Sequence, residues 1–311
     1  MTEQQRLSPI AAVICVPTFR RVEGLRRTLQ SVIAQRSDVA FAVVVVDNDG
    51  ADPRGAALAR EMLATAGVSH TVLVEPEQGN CHAINRAFGA AVETYPTADF
   101  FIMIDDDEIA LPGWLQALVD LSRTRSADLV GGPVFREFEV RPAAAVTRHP
   151  LFVSIDGETR PIDQLHGSGN CLIHRRVFER FSPRPFDLRF NFLGGGDMEF
   201  FTRCRLAGLT TWWCAEAVVH EFVAPDRITA TFLTKRSIRT GSINYLVDRL
   251  HKPRGVVLLK NVASLALGIA RSLKTLIRTG SPLLASHPVL MSAGRIIASL
   301  GFLPKPYKSP H

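Results

Sequence analysis

The sequence predicts an α/β protein: a mainly parallel sheet with helices on both faces, followed by a basic helical tail. Three observations carry that expectation. Continuous apolar runs of strand length recur at 11–17 (AAVICVP), 40–46 (AFAVVVV), 70–75 and 99–104 (DFFIMI). Segments of helical spacing lie between them, and strands that are apolar throughout belong to sheets covered on both faces. Residues 227–311 carry 14 Lys/Arg against one acid, Asp248, a net +13, whereas residues 1–226 carry 22 bases and 29 acids, a net −7.

Taken in order, the first run ends in Pro17, and Val22, Leu25, Leu29, Val32 and Ile33 then share one helical face over 22–35. The second run ends at Asp47, and Pro53 suits the first turn of a helix over 53–66. The third strand precedes a helix over 80–93, for which Asn80 is the expected cap. The fourth runs straight into Asp105. Pro112 opens a helix over 112–123, and a further strand is expected over 128–135. Residues 137–165 read as a proline-containing excursion without a period. A Gly-rich turn (His166 to Asn170), a strand passing into a helix over 171–181, a triple glycine (194–196), a helix from Asp197 to about Leu206 and a strand over 210–219 complete the body. There is no internal repeat and no low-complexity segment.

With 311 residues, 46% hydrophobic and 21% charged, the chain can bury one large core or two small ones. That excludes a disordered tail protein, a collagen-like repeat and a small disulfide scaffold. The five cysteines form no C-x-x-C pair and are odd in number, as expected of reduced thiols in a cytosolic enzyme without structural zinc. The opening MTEQQRLSPI is polar and carries Glu3, unlike a secretory signal.

The basic tail calls for an anionic partner. It is poor in aromatic residues and has no nucleic-acid-binding motif, so nucleic acid is not expected and an anionic membrane surface is. Segment 255–278 (GVVLLKNVASLALGIARSLKTLIR) is broken by Lys260 and Arg271, short of the roughly 18 uncharged residues of a spanning helix. A helix lying in the membrane interface fits better, the alternative being a core-packing helix with a solvated basic face.

Ligands of parallel sheets bind beyond the carboxyl ends of the strands, which directs attention to 18–21, 47–49, 75–80 and 105–108. Asp105, Asp106 and Asp107 follow the fourth strand directly. Adjacent carboxylates repel, so a cation is the natural reason to gather them. An oxygen-only set suits Mg²⁺ or Mn²⁺, which commonly bridge protein to substrate phosphates. A solvated acidic turn before a helix is the alternative, and the position at a central strand end favours function.

These segments resemble the inverting family 2 glycosyltransferases over roughly residues 11–245. VPTFRR (16–21), VVVDNDG (44–50), GNCHAINRA (79–87), IDDDEIALPGWL (104–115) and GGGDMEFFTRCRLAG (194–208) look like the family's motifs in the correct order and spacing. The bacterial exopolysaccharide glucosyltransferases of the succinoglycan type share the DND, DDDE and late G-x-D-x-[DE] pattern. The resemblance implies a GT-A-like (Rossmann-like) fold in a domain over 1–226, with a nucleotide-binding half over about 10–110, an acceptor half over about 111–226 and the tail beyond. Pro17, Phe19 and Arg20 would border the nucleotide base, and Asp47, Asn48 and Asp49 would line base and ribose. Many relatives have Asp where Asn48 stands. Asp105 or Asp106 would contact ribose, and Asp107 would hold a divalent metal, Mn²⁺ or Mg²⁺, on the diphosphate. Asp197 aligns with the general base that inversion requires, and Glu199 with the second acid of that motif. Gly196 stands where relatives often have Glu.

His220 would be a further metal ligand, and Arg236 and Arg239, three apart on one helix face, could hold the departing diphosphate. His166 and Asn170 could touch donor or acceptor. Trp212 and Trp213, adjacent in a strand, face opposite ways, so one is expected in the core.

The expected function is therefore metal-dependent, inverting transfer of a sugar from a nucleotide-sugar donor, UDP-glucose by preference, to a saccharide or lipid-linked oligosaccharide acceptor. The expected setting is surface-polysaccharide synthesis, peripheral at the inner face of the cytoplasmic membrane. Nucleotidyl transfer would want a Gly-rich basic loop after the first strand, which VPTFRRVEG is not. An aspartyl phosphatase would place D-x-D after the first strand, not the fourth. A catalytically silent membrane-docking module has no need of both Asp107 and Asp197.

Overall fold

The computed structural model describes residues 9–155 and 157–304. Most of the opening segment judged unlike a secretory signal, and Lys305 and Lys308 of the basic tail, lie outside the described residues. The chain divides into two compact units. One comprises Met1–Phe135, Ile155–Asn191 and Gly196–Glu221, the other Arg136–Ser154, Phe192–Gly195 and Phe222–His311.

The first unit is the α/β body. Strands β1 (Ala12–Thr18), β2 (Phe41–Asp47), β3 (Ser69–Val74) and β4 (Phe100–Ile104) alternate with helices α1 (Val22–Ile33), α2 (Arg54–Thr65) and α3 (Asn80–Thr94). β1, β2 and β4 are buried throughout, which explains why they read as unbroken apolar runs. The eight-stranded sheet has the order β3–β2–β1–β4–β9–β6–β10–β8, adding β6 (Leu129–Gly131), β8 (Arg160–Pro161), β9 (Asn170–His174) and β10 (Thr211–Trp213). Pairing is parallel from β3 to β4, while β9 runs antiparallel to both β4 and β6. Pro17 is tolerated in a central strand because the β1–β4 ladder has ended at Cys15, leaving Pro17 opposite Val46 of β2 alone. All five cysteines are buried and unpaired.

Two expected strands are each split. The run 128–135 divides into β6 and β7 (Val134–Phe138), and 210–219 into β10 and β11 (Val219–Val223). At the first break the backbone of another segment comes close: a Cβ on Gly132 would overlap the carbonyl oxygen of Ala217. β11 and β7 join β5 (Glu108–Ala110), a strand the sequence reading did not anticipate, in a small sheet of order β5–β11–β7. The helix expected from Pro112 begins two residues later, as α4 (Trp114–Arg125), after Gly113 at φ 85°. The remaining helices of the body are α6 (Arg175–Arg180) and α7 (Gly196–Leu206), with α5 (Ala144–Thr147) falling in the second unit.

The second unit consists mainly of α8 (Ala230–His251), α9 (Arg254–Thr279) and α10 (Pro282–Ser299). Small residues bring the helices together: a Cβ on Gly241 would overlap the Met291 carbonyl, and one on Gly294 the Ile238 carbonyl. Asp248, the only acid of the tail, is buried and receives Lys260 at 3.0 Å and Arg295 at 3.0 Å, with Lys252 beside it. α9 is long and apolar enough, by length and composition alone, to cross a membrane. Its packing is inverted relative to a helix in water. The inward stripe is Val257, Asn261 and Gly268, while Leu258, Leu259, Val262, Ile269, Leu273 and Ile277 are exposed.

A histidine pair is buried in this unit. The ring centroids of His149 and His287 lie 5.0 Å apart at 76°. His149 Nδ1 accepts from the Leu151 N–H at 3.3 Å, and His287 Nδ1 meets Ser237 Oγ at 2.8 Å. Burial first, and then the neighbouring His287, pushes His149 down to about 4. The unfolded chain therefore takes up a proton at about 6.5 that the folded chain refuses until about 4. Stability of this unit should be constant above pH 7 and fall as pH drops from 6.5 toward 4. Thermal midpoints measured across this range should slope less in His149→Phe than in the parent; identical slopes would show that the pair does not titrate on unfolding.

Candidate active site

The carboxyl ends of β1, β2 and β4 gather most of the polar residues singled out from the sequence, but most serve one another first. Asp47, 2% exposed, accepts from the Ala56 N–H at 2.9 Å and the Asp49 N–H at 3.1 Å, tying the β2 end to the start of α2. Asn48 donates to the Glu75 and Glu77 carbonyls at 2.9 and 2.8 Å, and its oxygen accepts from the Gly79 N–H at 2.7 Å. Its amide is thereby committed to the loop after β3. Asp49 pairs with Arg20 at 2.7 Å, and the Arg20 hydrogen bond leads in holding its carboxyl below the usual range. The Arg20 guanidinium in turn lies 4.9 Å from the centroid of the Phe19 ring.

The loop after β4 forms the second cluster. Asp106 is buried and accepts from Thr18 Oγ1 at 2.8 Å and from Arg21 Nη1 at 2.8 Å; the same nitrogen reaches Asp107 Oδ2 at 2.8 Å. Glu108 accepts from the Asp105 N–H at 3.0 Å. α1 braces the loop from one side: Thr28 Oγ1 donates to the Glu108 carbonyl at 2.7 Å, and a Cβ on Gly24 would lie 2.6 Å from the Asp106 carbonyl oxygen. Burial above all, then the charges of Asp107, Asp106 and Glu221, pushes Asp105 up to about 8, with Arg21 opposing. Burial and Asp105 likewise raise Glu108.

The third element is α7. Asp197 opens it, with Oδ1 accepting from the Met198 N–H at 2.8 Å and Oδ2 facing Gly167, whose Cβ would lie 4.0 Å away. A Cβ on Gly169 would lie 2.6 Å from Glu108 Oε1 and 2.9 Å from Asp105 Oδ2. The Gly-rich turn 166–170 therefore runs between Asp197 and the β4 carboxylates, with a single residue, Ser168, between its contacts. Cys171, at the end of the turn, feels both sides: burial first, then Asp105 and Asp197, raises its thiol. Glu199, 2% exposed, is bonded to Arg203 at 2.9 Å and lies in the same first turn of the helix.

Several expected residues are placed elsewhere. His220 is opposite Ile109 in the β11–β5 pairing, 6.1 Å from the Phe135 ring. Its neighbour Glu221 is opposite Glu108 and contributes to the field at Asp105. Side chains alternate along a strand, so β11 brings Glu221, not His220, to the carboxylate cluster. Asn170 is buried, accepting from Trp114 Nε1 at 2.8 Å and donating to the Ala217 and Pro133 carbonyls, while His166 is exposed. Trp213 is buried, and Trp212 packs on the core beneath Arg125. Arg236 and Arg239 belong to the second unit, Arg236 exposed and Arg239 buried. The α3 start is capped by Asn191, which accepts from the Cys81 N–H at 3.1 Å, rather than by Asn80.

Sequence reasoning pointed to the segments of Arg21 and Glu108 without giving either a role, and it overlooked Glu221 and Asn191. Glu108 was legible as the fourth acid of the DDDE run. The other three gain meaning only from partners distant in the chain.

Among the described residues, no three His, Cys, Asp or Glu side chains are placed to hold a metal on their own. The set beside Asp107 is nonetheless all oxygen and over-supplied with negative charge. It fits a Mg²⁺ or Mn²⁺ ion that completes its shell with phosphate oxygens and water.

A mainly parallel sheet with carboxylates gathered beyond its strand ends is the arrangement expected of a glycosyltransferase of GT-A fold. Residues 13–182 match the model of Glycosyl transferase family 2, and the chain belongs to that family. It is 28% identical over 242 residues to the succinoglycan biosynthesis protein ExoM of Rhizobium meliloti (strain 1021), covering 76% of each chain. It is 29% identical over 133 residues to the glucosyl-dolichyl phosphate glucuronosyltransferase of Haloferax volcanii, 42% of this chain and 40% of that one. Its fold is similar to the mannosyltransferase PcManGT from Pyrobaculum calidifontis, solved in complex with GDP-Man and Mn²⁺ (TM-score 0.59, 17% identity, 95% of this chain and 88% of that one).

The wiring of Asn48 has a measurable consequence. In Asn48→Asp a carboxylate oxygen replaces the NH₂ that faces two carbonyls. The variant should lose about 1–3 kcal/mol of stability, read by chemical denaturation. Unchanged stability would mean that the amide does not hold the 75–79 loop.

Proposed function

We propose that this glycosyltransferase moves a sugar, with inversion, from a nucleotide-sugar donor to a saccharide acceptor in exopolysaccharide or glycolipid assembly. UDP-glucose is the first donor to test. The observation that carries the reading is the placement of Asp197 across the Gly-rich turn from the Asp105–Glu108 carboxylates. Inversion needs the acceptor's base on the side of the sugar opposite the departing diphosphate, and two separated carboxylate groups provide two sides. The names of the relatives support the chemistry: one serves succinoglycan biosynthesis, one acts on a dolichyl phosphate-linked sugar, and the structural neighbour binds GDP-Man with Mn²⁺. A lipid-linked acceptor and a divalent metal follow by analogy.

In this reading Phe19, Arg20 and Asp49 border the nucleotide, while Asp47 and Asn48 hold the frame beneath it. Asp107 would hold Mn²⁺ or Mg²⁺, a charge that stabilises the leaving diphosphate. Asp106, fixed by Thr18 and Arg21, keeps the loop in register. Asp197 accepts the proton of the attacking hydroxyl as its oxygen bonds to the anomeric carbon. Its Oδ2 faces a glycine, and Oδ1 is oriented by a backbone N–H. Glu199 is buried and bonded to Arg203, which supports Asp197, less buried at the opening of the helix, as the proton acceptor.

The same proposal places the chain on an anionic membrane surface, with α9 lying in the interface. At 100° per residue, Lys260, Arg271, Lys274 and Arg278 fall within about 60° of one another, between the inward stripe and the exposed apolar face. They recur over about 27 Å of helix axis. A basic stripe parallel to the axis suits a helix lying at the headgroups. A helix crossing the bilayer would carry Lys260 and Arg271 through hydrocarbon.

Asp197→Asn should bind nucleotide normally and lose about 10²–10⁴ in kcat, measured with UDP-, GDP- and dTDP-sugars in the presence of Mn²⁺. Absence of both transfer and donor hydrolysis by the parent protein would leave a docking module instead.

The full chain should bind vesicles of phosphatidylglycerol at low salt, less as salt rises and less as the anionic lipid is diluted. Val262→Asp with Ile269→Asp, both exposed on α9, should abolish binding without lowering the thermal midpoint. A parent protein indifferent to anionic vesicles would remove the membrane assignment.

A further inference from the structure

Arg20 and Arg21 are consecutive, yet they serve different carboxylate groups. Arg20 has φ 55°, the left-handed region that a residue with a side chain seldom adopts. This twist sends Arg20 to Asp49 while Arg21, at the threshold of α1, points to Asp106 and Asp107. A strained residue persists where the surrounding structure demands it, and here both arginines are fixed by ion pairs of 2.7–2.8 Å.

The Arg21 contact is made by one atom. Nη1 lies 2.8 Å from Asp106 Oδ1 and 2.8 Å from Asp107 Oδ2, between two carboxylates of successive residues. That is the place a positive ion would take. The side chain is 43% exposed, so the guanidinium can swing away at little cost, whereas Asp106 is 7% exposed and stays bound to Thr18 Oγ1.

We propose that Arg21 is a positioning residue that acts as a resident cation. It holds the Asp106–Asp107 pair in place before the donor arrives, yields Asp107 Oδ2 to the divalent ion, and then turns its charge to the donor's diphosphate. The proposal rests on the assignment of Asp107 as the metal-holding residue. It is a charge exchange: a guanidinium of charge +1 leaves Asp107 as a divalent ion arrives, one ion pair is given up, and no covalent bond is made or broken.

The consequence is an opposition between two affinities. Without Arg21, Asp106 and Asp107 lose their competing cation, so Mn²⁺ alone should bind more tightly. The diphosphate loses a positive partner, so nucleotide in the presence of Mn²⁺ should bind more weakly. A residue that served only to hold the loop's shape would weaken both. Only one nitrogen makes both contacts, so a lysine ammonium can replace it; the planar fork of arginine is not used.

The test uses the full chain. Mn²⁺ binding without nucleotide is followed by electron paramagnetic resonance, and UDP and GDP binding at saturating Mn²⁺ by calorimetry. Arg21→Gln should bind Mn²⁺ about threefold or more tightly, the worth of half-exposed ion pairs, and both nucleotides at least about threefold more weakly. Arg21→Lys should stay within about twofold of the parent in each. Arg21→Lys should keep the parent's thermal midpoint and Arg21→Gln should lower it, since buried Asp106 loses a cationic partner, so binding is compared well below both midpoints. Arg21→Gln that binds Mn²⁺ no more tightly, or binds nucleotide as the parent does, overturns the proposal. Asp107→Ala separates the two levels: if it abolishes Mn²⁺ binding while Arg21→Gln leaves it unchanged, only the Arg21 role fails. If Asp107→Ala binds Mn²⁺ like the parent, the metal assignment fails and the Arg21 role with it.

Discussion

The constraint on which the α/β body depends is the repulsion among carboxylates gathered where β4 leaves the sheet. Two like charges 4 Å apart cost about 4 kcal/mol in the effective dielectric near a protein surface, and Asp105, Asp106, Asp107, Glu108 and Glu221 all contribute to one neighbourhood. The surrounding architecture reads as the means of holding them there. α1 supplies Arg21, Thr28 and the bare backbone at Gly24, and β1 supplies Thr18. The glycine turn allows Gly169 to pack against two carboxyl groups where any side chain would collide. Even so, burial and its acidic neighbours push the Asp105 carboxyl well above the usual carboxylate range. A site that raises one acid in this way rather than dispersing its charge is prepared for a cation.

Around this centre the polar residues separate into frame and working surface. Asp47, Asn48, Asn170 and Asn191 are all buried, and each uses its side chain to bind backbone of another segment. They bring the ends of β1, β2 and β4 and the starts of α3 and α4 to fixed positions. Buried amides so fully bonded are costly to alter and have little left to offer a ligand. Asp107 and Asp197 differ, being only partly buried, and Asp197 has one oxygen turned toward a glycine. The distinction is one of burial: Asp107 and Asp197, to which the resemblance assigned metal and base, are less enclosed than the framework residues.

Much of the body was legible in the sequence because its elements are locally determined. Apolar runs marked β1, β2 and β4 to within a residue or so, and the 3.6 period marked α1 and α3. The DDDE run was legible as a charge anomaly at a strand end. What escaped depends on contacts between distant segments. Gly132 sits at a strand break where the Ala217 backbone approaches closely, and Asn80 is not the cap because Asn191 takes that place. The choice between His220 and Glu221 turns on the pairing of β11 with β5, a strand of three residues too short to leave a periodic signal. Periodicity reads the face of a segment, not the identity of the segment opposite.

The helical unit follows a different rule. In water a helix hides its apolar face, yet α9 turns a seam of Asn261, Ser264 and Gly268 inward and leaves its leucines out. Ser264 and Ser292 meet at 3.0 Å across this seam, and Gly268 lets the helices approach closely. Small and hydroxyl-bearing residues at helix contacts are the pattern expected where the outside solvent is as apolar as the side chains. The charge distribution obeys the same logic. An acid facing anionic headgroups would be repelled, and the only acid of residues 227–311, Asp248, is enclosed by Lys252, Lys260 and Arg295. The other bases remain unopposed by any acid of the segment. Inverted burial and one-sided charge are independent properties of the sequence, since either can be changed without the other. Both are properties that the proposed docking on a lipid surface would require.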